Sequence, residues 1–464
     1  MTDIDAVLAR ADLNLPTSLA TLFDLVRIKS ISTDAAYRPD CRKAAEFLAN
    51  YLNQMGFDAS VRDTAGNPVV VAHHDGGSPA CPHVLFYGHY DVQPVDPLDL
   101  WTNDPFDPAI RDGDNGEKII SGRGTADDKG QLLTFVEAIR AFKDVRGALP
   151  VRLTILFEGE EESGSPSLKP FIEANAQELK ADFAMVCDTA MWDRETPAIC
   201  ASLRGLVGEE ITVTAADRDL HSGGYGGVAA NPIHVLAAIL AGLHDDTGAV
   251  TLPGFYDGVD EAPDEIKAVW RGLEQASPGF LSEIGLSIPS GEKGRSILEL
   301  LWARPTAEVN GIAGGYAGDG FKTVIASKAT AKVSFRLVGH QDPHKIRDAF
   351  RAYVRSRLPA DCRVEFASHG ASSAIQLPYD SALLDQAKRA LSKEWPKPTI
   401  VIGGGGSIPV VGDFSSTLGM DTLLVGFGLS DDRGHSPNEK YNLRSFQKGI
   451  RSWVRILDEV QSSI

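Results

Sequence analysis

Apolar and polar positions in the first part of the chain follow two patterns, which predict helices interleaved with buried strands. Helical spacing of apolar side chains occurs in Ser18–Ile28, in Arg42–Met55 and from Leu132 to Phe142. Short apolar or alternating runs predict strands at Ala59–Asp63, Pro68–His73, His83–Tyr87, Val151–Phe157 and Phe183–Cys187. Strands that alternate with helices are typical of an α/β layer architecture.

The pattern changes around Ser202–Gly208. Alternating runs at Val207–Thr214 and Ala329–Leu337 predict half-buried strands, and a Pro- and Gly-rich passage lies between them. Helical patterns occupy Pro232–Leu243 and Pro343–Leu358. Strands and helices of this kind indicate a separate α+β domain.

From about Gln376 the α/β pattern returns. It consists of helical patterns and apolar strands at Ala382–Leu391, Thr399–Ile402, Thr422–Val425 and Leu443–Val460. We therefore predict a discontinuous α/β domain formed by residues 1–205 and 377–464. Residues 206–376 are predicted to insert into it as the α+β domain.

Three of the predicted strands end in acidic or histidine side chains. His89 and Asp91 follow the third strand, a run of glutamates between Glu158 and Glu162 follows the fourth, and Asp188 follows the fifth. Sites in open α/β sheets form outside the carboxyl ends of the strands, so these side chains are expected to lie together. Asp91 is a candidate to accept the second N–H of the His89 ring and fix its direction. The alternative is a loop histidine with a surface aspartate.

Closely packed carboxylates need a compensating cation or must point into water, which leaves two interpretations of Glu158–Glu162. One interpretation is a solvated acidic turn. The other is a metal site in which one glutamate is a ligand and a neighbouring glutamate is the general base. The coincidence of such residues at three strand ends favours the metal site.

Other loops contain further candidates for metal ligands and other site residues. The glycine-rich segment Gly122–Gly130 brings Asp127 and Asp128 to a helix start, where helix capping is the alternative to metal ligation. This segment lacks the order of a phosphate-binding loop. His435 follows a strand, as His89 does, whereas His221 lies in a glycine-rich loop where an ordinary surface histidine is the alternative.

Composition and net charge limit the classes of binding partner and the cellular compartment that are expected for this protein. The 464 residues carry a formal net charge of −18, which argues against nucleic acids and anionic membranes as partners. We find neither an apolar run near the roughly 20 residues of a membrane span nor a signal sequence. The five cysteines are odd in number and widely spread, so thiols in a reducing compartment are expected rather than disulfides. The expectation is a cytoplasmic protein.

Five segments occur together in a characteristic order, namely Gly88–Asp91, Gly122–Gly130, Glu158–Ser165, Cys187–Asp188 and Gly434–Lys440. Together they resemble the co-catalytic di-zinc aminoacylase/carboxypeptidase metallopeptidases, and the chain looks most like the carnosinase and Cys-Gly dipeptidase branch. Further matches at Trp302–Ile312, Gly314–Tyr316, Lys322–Ile325 and Arg336–Val338 extend the resemblance over nearly the whole chain. It implies an α/β fold with a zinc-peptidase-like catalytic domain, whose mixed central sheet is flanked by helices. It also implies that the inserted α+β domain is a lid and dimerisation domain.

The resemblance implies a metal ligand at five positions. His89 and Asp188 would bind one ion, Glu162 and His435 would bind the other, and Asp127 would bridge the two. Mixed nitrogen and oxygen ligation of this kind suits two divalent ions per subunit, with zinc first and manganese or cobalt as alternatives.

The same resemblance implies roles around the ligands. Asp91 would orient His89, and Glu161 would act as the general base on a metal-bridging water. A cis peptide bond is implied at Asp127–Asp128. Glu160 departs from the family pattern as an extra acid, which leaves a one-residue shift of base and ligand as an alternative.

In the inserted domain, the resemblance implies that His221 reaches the active site of the partner subunit in a homodimer and stabilises an oxyanion. Arg336 would bind the terminal carboxylate of a substrate through its guanidinium, with a strand-surface arginine as the alternative. The other implied substrate contacts are Asn310, Thr323, Gly406 and Ser407, and His369 is a further candidate with a structural role as the alternative.

We therefore predict a metallo-dipeptidase that cleaves the amide bond of dipeptides or short peptides with a free C-terminal carboxylate. An N-acyl-amino-acid deacylase of the same architecture is the alternative. A non-catalytic protein that keeps the fold is a third hypothesis. The presence of all five ligand positions together with Glu161 argues against it.

Overall fold

A computed structural model of the chain describes residues 3–113, 116–276, 279–406 and 408–461. The helices are α1 (Asp3–Val26), α2 (Arg38–Gln54), α3 (Lys129–Arg146), α4 (Leu168–Ala174), α5 (Ala176–Leu179), α6 (Ser222–Tyr225), α7 (Pro232–Ala241), α8 (Asp264–Ala276), α9 (Phe280–Glu283), α10 (Ile297–Trp302), α11 (Pro343–Ser356), α12 (Ala382–Glu394), α13 (Pro409–Asp413) and α14 (Leu443–Gln461). The strands are β1 (Asp58–Arg62), β2 (Val69–His74), β3 (His83–His89), β4 (Ala109–Asp112), β5 (Lys118–Ser121), β6 (Arg152–Glu158), β7 (Phe183–Val186), β8 (Ala198–Leu203), β9 (Gly205–Thr214), β10 (Leu220–His221), β11 (Thr306–Gly314), β12 (Val324–Ile325), β13 (Lys328–Leu337), β14 (Arg363–Ser372), β15 (Ile375–Gln376), β16 (Ile400–Gly404), β17 (Thr422–Val425) and β18 (Lys440–Asn442).

The chain divides into two units. One consists of Met1–Ala201, Leu377–Ile402 and Pro409–Ile464, and the other of Ser202–Gln376 and Gly403–Ile408. The short segment Gly403–Ile408 thus belongs with the second unit, although the sequence pattern assigns it to the α/β domain. The reason is that the backbone N–H and the Nε–H of Arg204 donate to the carbonyl oxygens of Gly404 and Gly405, at 3.3 and 3.1 Å.

The first unit is built on a mixed sheet in which the strands follow the order β1-β2-β6-β3-β7-β17-β8. Strand β3 runs parallel to both β6 and β7, and β17 runs parallel to β7. Strands β1, β2 and β8 pair antiparallel with their neighbours. The predicted α/β fold with a mixed central sheet is confirmed. The carboxyl ends of β3, β6 and β7 consequently share one edge of the sheet.

Aromatic packing fixes the sheet against two long helices. Phe86 of β3 stacks on Phe135 of α3 with ring centroids 3.6 Å apart, and Trp453 of α14 meets both rings edge-on. All three side chains are completely buried. Large buried aromatic rings contribute much of the stabilisation of a core. This packing holds the strand that ends in His89 against the helix that begins two residues after Asp127.

The second unit contains a four-stranded antiparallel sheet in the order β11-β13-β9-β14. Burial alternates along β9 and β13, as the alternating sequence pattern predicts. Their inward side chains, such as Ile211 and Phe335, form a core with Leu236 of α7 and Phe350 of α11. A two-stranded ribbon, β10 with β12, pairs His221 with Val324.

Two further predictions concern the environment of the chain. The five cysteines all lie in described segments, and each of them is free. Within the described residues, no helix combines the length and the apolar character that a membrane span requires.

Candidate metal centre

Two groups of side chains in the first unit bring their ligand atoms within 4.8 Å of one another. One group is His89, Asp127 and Asp188, and the other is Asp127, Glu162 and His435. The structure therefore brings together all five positions that the sequence predicts as ligands. Asp127 belongs to both groups, which is the arrangement expected of a bridging carboxylate.

The two carboxylate oxygens of Asp127 face different histidines. His89 Nε2 lies 3.1 Å from Asp127 Oδ1, and His435 Nε2 lies 2.9 Å from Asp127 Oδ2. His435 Nε2 also lies 3.1 Å from Glu162 Oε2. Each ring nitrogen thus points into a separate cluster of oxygens on either side of Asp127.

The histidines compensate these carboxylates by holding protons. Hydrogen bonds to Asp127 and Glu162 raise the pKa of His435 to about 10. Burial disfavours a charge on His89, yet hydrogen bonds to Asp127 and Asp91 raise its pKa well above the usual value. Burial opposes a charge on Asp127 as well, but the two rings hold the pKa of Asp127 well below its usual value. A divalent cation bound to these atoms would release the protons and supply the same compensation.

The elements of the fold explain how these ligands meet. His89 is the last residue of β3, Asp188 lies two residues beyond the end of β7, and Glu162 lies in a single turn of 3₁₀ helix, Glu161–Ser163, just after β6. Because the three strands are parallel neighbours, their ends lie side by side. His435 comes from a separate loop and has a left-handed backbone with φ of 61°.

Asp91 connects the buried histidine to the glutamate turn. His89 Nδ1 lies 3.1 Å from the Asp91 carbonyl oxygen and 3.4 Å from its Oδ1. The same carboxylate accepts the backbone N–H groups of Glu161 and Glu162, at 3.2 and 3.0 Å. The side chain of Asp91 is completely buried. Its geometry is therefore that of a group that orients His89 and also positions the two glutamates.

The positions of the glutamates favour the original assignment of base and ligand over the one that is shifted by one residue. Glu160 accepts the backbone N–H groups of Asn67 and Ser167, at 2.8 and 3.1 Å, and is in neither ligand group. The carboxyl of Glu161 lies within the acidic cluster, where burial raises its pKa, His89 opposes this effect and Glu162 adds to it. The geometry therefore supports Glu162 as ligand and Glu161 beside it.

Asp128 does not behave as a helix cap. It precedes α3 but makes no side-chain capping hydrogen bond. Its Oδ2 accepts the backbone N–H of His89 at 3.2 Å, and burial raises the pKa of this carboxyl well above its usual value. The capping interpretation of Asp128 is therefore wrong. The Asp127–Asp128 peptide bond is cis, as the resemblance implies.

Three residues near the ligands were missed from the sequence. Gln93 donates from Nε2 to Glu162 Oε2 at 2.7 Å, so it holds that carboxylate. Arg123 and Glu439 form a buried ion pair at 2.7 Å. The available signal was that both charged residues lie inside the segments that carry the family resemblance, Gly122–Gly130 and Gly434–Lys440.

The remaining candidates belong to the second unit. His221 is exposed, and its Nδ1 accepts the backbone N–H of Gly223 at 3.0 Å. The neighbouring Thr323 carbonyl accepts the N–H of Ser222 at 3.0 Å. His369 Nε2 lies 3.7 Å from Glu210 Oε2 at a bulge of β14, which agrees with its structural alternative.

Arg336 and Asn310 line one cavity of about 960 Å³ together with Arg204 and Glu308. Burial and the charge of Arg336 lower the pKa of Arg204 to about 10. Arg204 is a further cation of this cavity that no sequence pattern indicates. Gly406 belongs to the second unit, and Ser407 lies outside the described residues.

The chain is similar to known proteins over nearly its whole length. The chain is 32% identical over 452 residues to the Cys-Gly metallodipeptidase dug1 of Schizosaccharomyces pombe, with 94% of each chain covered. It is 29% identical over 479 residues to the Beta-Ala-His dipeptidase of Homo sapiens, with 98% of this chain and 92% of that protein covered. The solved structure of the di-peptidase Dug1p from Saccharomyces cerevisiae has a TM-score of 0.75 at 28% identity and covers 100% of both chains. That of the M20 family metallo-carboxypeptidase Sso-CP2 from Sulfolobus solfataricus has a TM-score of 0.78 at 29% identity, with 96% of this chain and 99% of that chain covered.

A family model covers most of the chain. Residues 85–459 match the model described as Peptidase family M20/M25/M40, a range that contains every predicted metal ligand. The relatives named above include both activities of the branch that the sequence resembles. The predicted family and enzyme class are confirmed, and the chain belongs to the peptidase family M20/M25/M40.

Proposed function

We propose that this protein is a metal-dependent dipeptidase that hydrolyses dipeptides or short peptides with a free C-terminal carboxylate. The observation that carries the proposal is Asp127, whose two oxygens face His89 and His435 in two separate ligand groups. The names of the relatives, a Cys-Gly metallodipeptidase and a Beta-Ala-His dipeptidase, support this class of substrate.

The ligand groups fit two divalent cations. Each group combines one histidine nitrogen with carboxylate oxygens, a donor set that suits zinc and also manganese or cobalt. His89 and Asp188 would hold one ion, Glu162 and His435 the other, and Asp127 both. When bound, two such ions polarise a scissile carbonyl and lower the pKa of the attacking water.

Glu161 is proposed as the general base. Its backbone N–H is fixed by Asp91, and its carboxylate lies among the ligands without belonging to either group. In this position Glu161 would take a proton from the attacking water and pass it to the leaving amine. Asp91 would keep both His89 and Glu161 in the orientation that this transfer requires.

Arg336 is proposed to bind the terminal carboxylate of the substrate. Within the described part of the chain this guanidinium has no ion-pair partner, and it lines a cavity with Arg204 and Asn310. A guanidinium without a carboxylate partner can form two parallel hydrogen bonds to a bound carboxylate.

Replacing Arg336 with methionine is expected to raise KM for a dipeptide by about 100-fold, because charge-assisted hydrogen bonds to the carboxylate are lost. Steady-state kinetics on the free dipeptide and on its C-terminal amide test this. The wild-type protein and the variant are expected to hydrolyse the C-terminal amide equally poorly, because this compound has no terminal carboxylate. An unchanged KM for the free dipeptide would contradict the role of Arg336.

A homodimer in which His221 acts across the interface is part of the proposal, as is a cytoplasmic location. The segments that flank the β10–β12 ribbon expose large apolar side chains, with Val228 85% and Phe321 91% exposed. Large exposed apolar side chains are a feature of many protein interfaces. Because His221 lies on the same ribbon, a second subunit on this surface would cover it. In the partner subunit's active site it would stabilise the oxyanion.

The test of the proposed function is hydrolysis of a small substrate panel. Protein freed of metal with a chelator is assayed on β-Ala-His, Cys-Gly, Leu-Gly and one N-acetyl amino acid, with and without Zn²⁺, Mn²⁺ or Co²⁺. Cleavage of a dipeptide only after metal addition is the expected result. Cleavage of the N-acetyl compound alone would instead favour the deacylase alternative. No turnover of any panel member by metal-loaded protein would contradict the proposal.

A further inference from the structure

A buried ion pair lies behind the candidate metal ligands. Arg123 Nη1 donates to Glu439 Oε2 at 2.7 Å, and the residues are 1% and 0% exposed. Arg123 also donates to the carbonyl oxygen of Pro94 at 3.0 Å, and its guanidinium lies over the ring of Trp101. Neither charged residue belongs to the two ligand groups. The pair therefore has no assigned part in the proposed chemistry.

The turn that leads to Asp127 wraps around the carboxylate of Glu439. Oε2 accepts the backbone N–H of Gly124 at 3.0 Å, and Oε1 accepts those of Ala126 and Asp127 at 2.9 and 3.1 Å. The carbonyl oxygen of Glu439 accepts the N–H of Gly122 at 3.1 Å. A single carboxylate thus fixes the backbone of the residue whose side chain faces both histidines.

Glu439 also lies on the loop that carries His435. The loop is further held by Asn438, whose side chain accepts the N–H of Thr102 at 2.7 Å and donates to the carbonyl of Leu100 at 2.8 Å. The His435 side chain is 57% exposed, so core packing contributes little to its position. The 2.9 Å separation of His435 Nε2 from Asp127 Oδ2 therefore depends on how firmly the loop is joined to the turn before Asp127.

The two ligand groups differ in this respect. His89 is completely buried at the end of β3, and Asp188 follows the neighbouring strand β7, so the sheet itself sets their separation. Glu162 is held by Gln93 and by the bond from its N–H to Asp91. Only His435 reaches the centre from a loop joined to the bridging residue through Glu439.

We propose that Glu439, with Arg123 as its counter-ion, is a positioning residue for the metal position formed by Asp127, Glu162 and His435. The other position, formed by His89, Asp127 and Asp188, does not depend on it to the same degree. This inference rests on the proposed metal centre. Arg123 is needed because an unpaired buried carboxylate is strongly destabilising.

The experiment compares Glu439→Gln with wild type in metal-binding titrations of the chelator-treated protein with Zn²⁺, followed by metal analysis after dialysis. The glutamine side chain has an NH2 group in place of one carboxylate oxygen, and this group cannot accept the backbone hydrogen bonds that the oxygen accepts. The turn before Asp127 therefore loses its contacts to one side of residue 439. The wild type is expected to bind two ions. The variant is expected to bind the ion at the position of His89, Asp127 and Asp188 with an affinity within about threefold of the wild type. It is expected to bind the second ion, at the position of Asp127, Glu162 and His435, at least tenfold more weakly, a typical effect of losing a residue that supports a ligand.

A matched control separates positioning from folding. Glu394 is another buried carboxylate of the same unit, and it accepts hydrogen bonds from Lys448, Arg451 and Arg455. Glu394→Gln is expected to lower thermal stability while both ions bind as in the wild type. The double variant Glu439→Gln/Arg123→Met removes the buried cation as well. The double variant is expected to be folded and still to lose the ion at the position of Asp127, Glu162 and His435.

Hydrogen exchange on metal-free protein gives a readout that does not depend on bound ions. The amide of Asp127 is expected to exchange at least tenfold faster in Glu439→Gln and at the wild-type rate in Glu394→Gln. Two ions bound with unchanged affinity in Glu439→Gln would overturn the inference, and so would an equal loss of both ions. A wild-type protein that binds fewer than two ions would overturn the proposed metal centre itself, and this inference with it.

Discussion

Replacing Glu161 with glutamine is expected to lower kcat for a dipeptide by about a thousandfold, the scale of a lost general base. The amide has nearly the same size as the carboxylate but cannot accept the proton of the attacking water. Since Glu161 is in neither ligand group, metal content is expected to stay at the wild-type level. The measurement is kcat and KM of metal-loaded protein, together with metal analysis of the same sample.

The neighbouring Glu160 provides the control. Its carboxylate binds the backbone N–H groups of Asn67 and Ser167, and glutamine keeps one acceptor oxygen for them. Glu160→Gln is expected to lose a little stability, about 1 kcal/mol, and to keep kcat within about threefold of the wild type. If Glu160→Gln were inactive and Glu161→Gln active, the base would lie one residue earlier than proposed.

Much of the candidate centre could be predicted because it follows from strand geometry. A histidine or an acid after each of three apolar runs was enough to expect a shared edge, and β3, β6 and β7 are indeed parallel neighbours. In the register of the sheet His89 lies directly opposite Glu158, so the glutamate turn starts beside the histidine. Periodicity alone did not assign ligand and base, and these roles came from the family resemblance.

The supporting contacts could not be predicted from local pattern. Glu439 reaches Gly124, Ala126 and Asp127 across more than three hundred positions of sequence, and such contacts leave no periodic signal. Asp128 has the sequence position of a helix cap, but burial next to His89 gives its carboxyl a different partner. Local propensity was outweighed in both cases by tertiary hydrogen bonds.

Other elements were indicated only in part, for physical reasons. The apolar spacing of Ser18–Ile28 covers only the second half of helix α1, which begins at Asp3; Val7, Leu8 and Ala11 of its first half are buried, and the helix continues through Pro16. Strand β14 is an edge strand with mostly exposed side chains, and its alternation is confined to the short stretch Arg363–Phe366, unlike the full-length alternation that identified β9 and β13. Edge strands are stabilised by backbone pairing on one side and need few apolar residues.

Asp127→Asn is expected to have the broadest effect on the centre, because Asp127 is the one residue shared by both ligand groups. Asparagine keeps a single acceptor oxygen and no charge, so it can face either His89 or His435 but cannot compensate two cations. Both ions are expected to bind at least tenfold more weakly, and dipeptide turnover is expected to fall by about a thousandfold or more. The measurement is a Zn²⁺ titration of metal-free protein, followed by an activity assay at saturating metal.

The adjacent residue gives a close control for this prediction. Asp128→Asn keeps the oxygen that accepts the N–H of His89, and Asp128 is in neither ligand group, so both ions and most activity are expected to remain. Comparing these variants also distinguishes residues that affect both ions from residues that affect mainly one. Asp127→Asn should weaken both ions, whereas Glu439→Gln should weaken mainly the ion held with His435, because Glu439 joins the loop that carries His435 to the turn before Asp127. If Asp127→Asn kept two tightly bound ions, Asp127 would not be the bridge, and the geometry of its two oxygens would need another explanation.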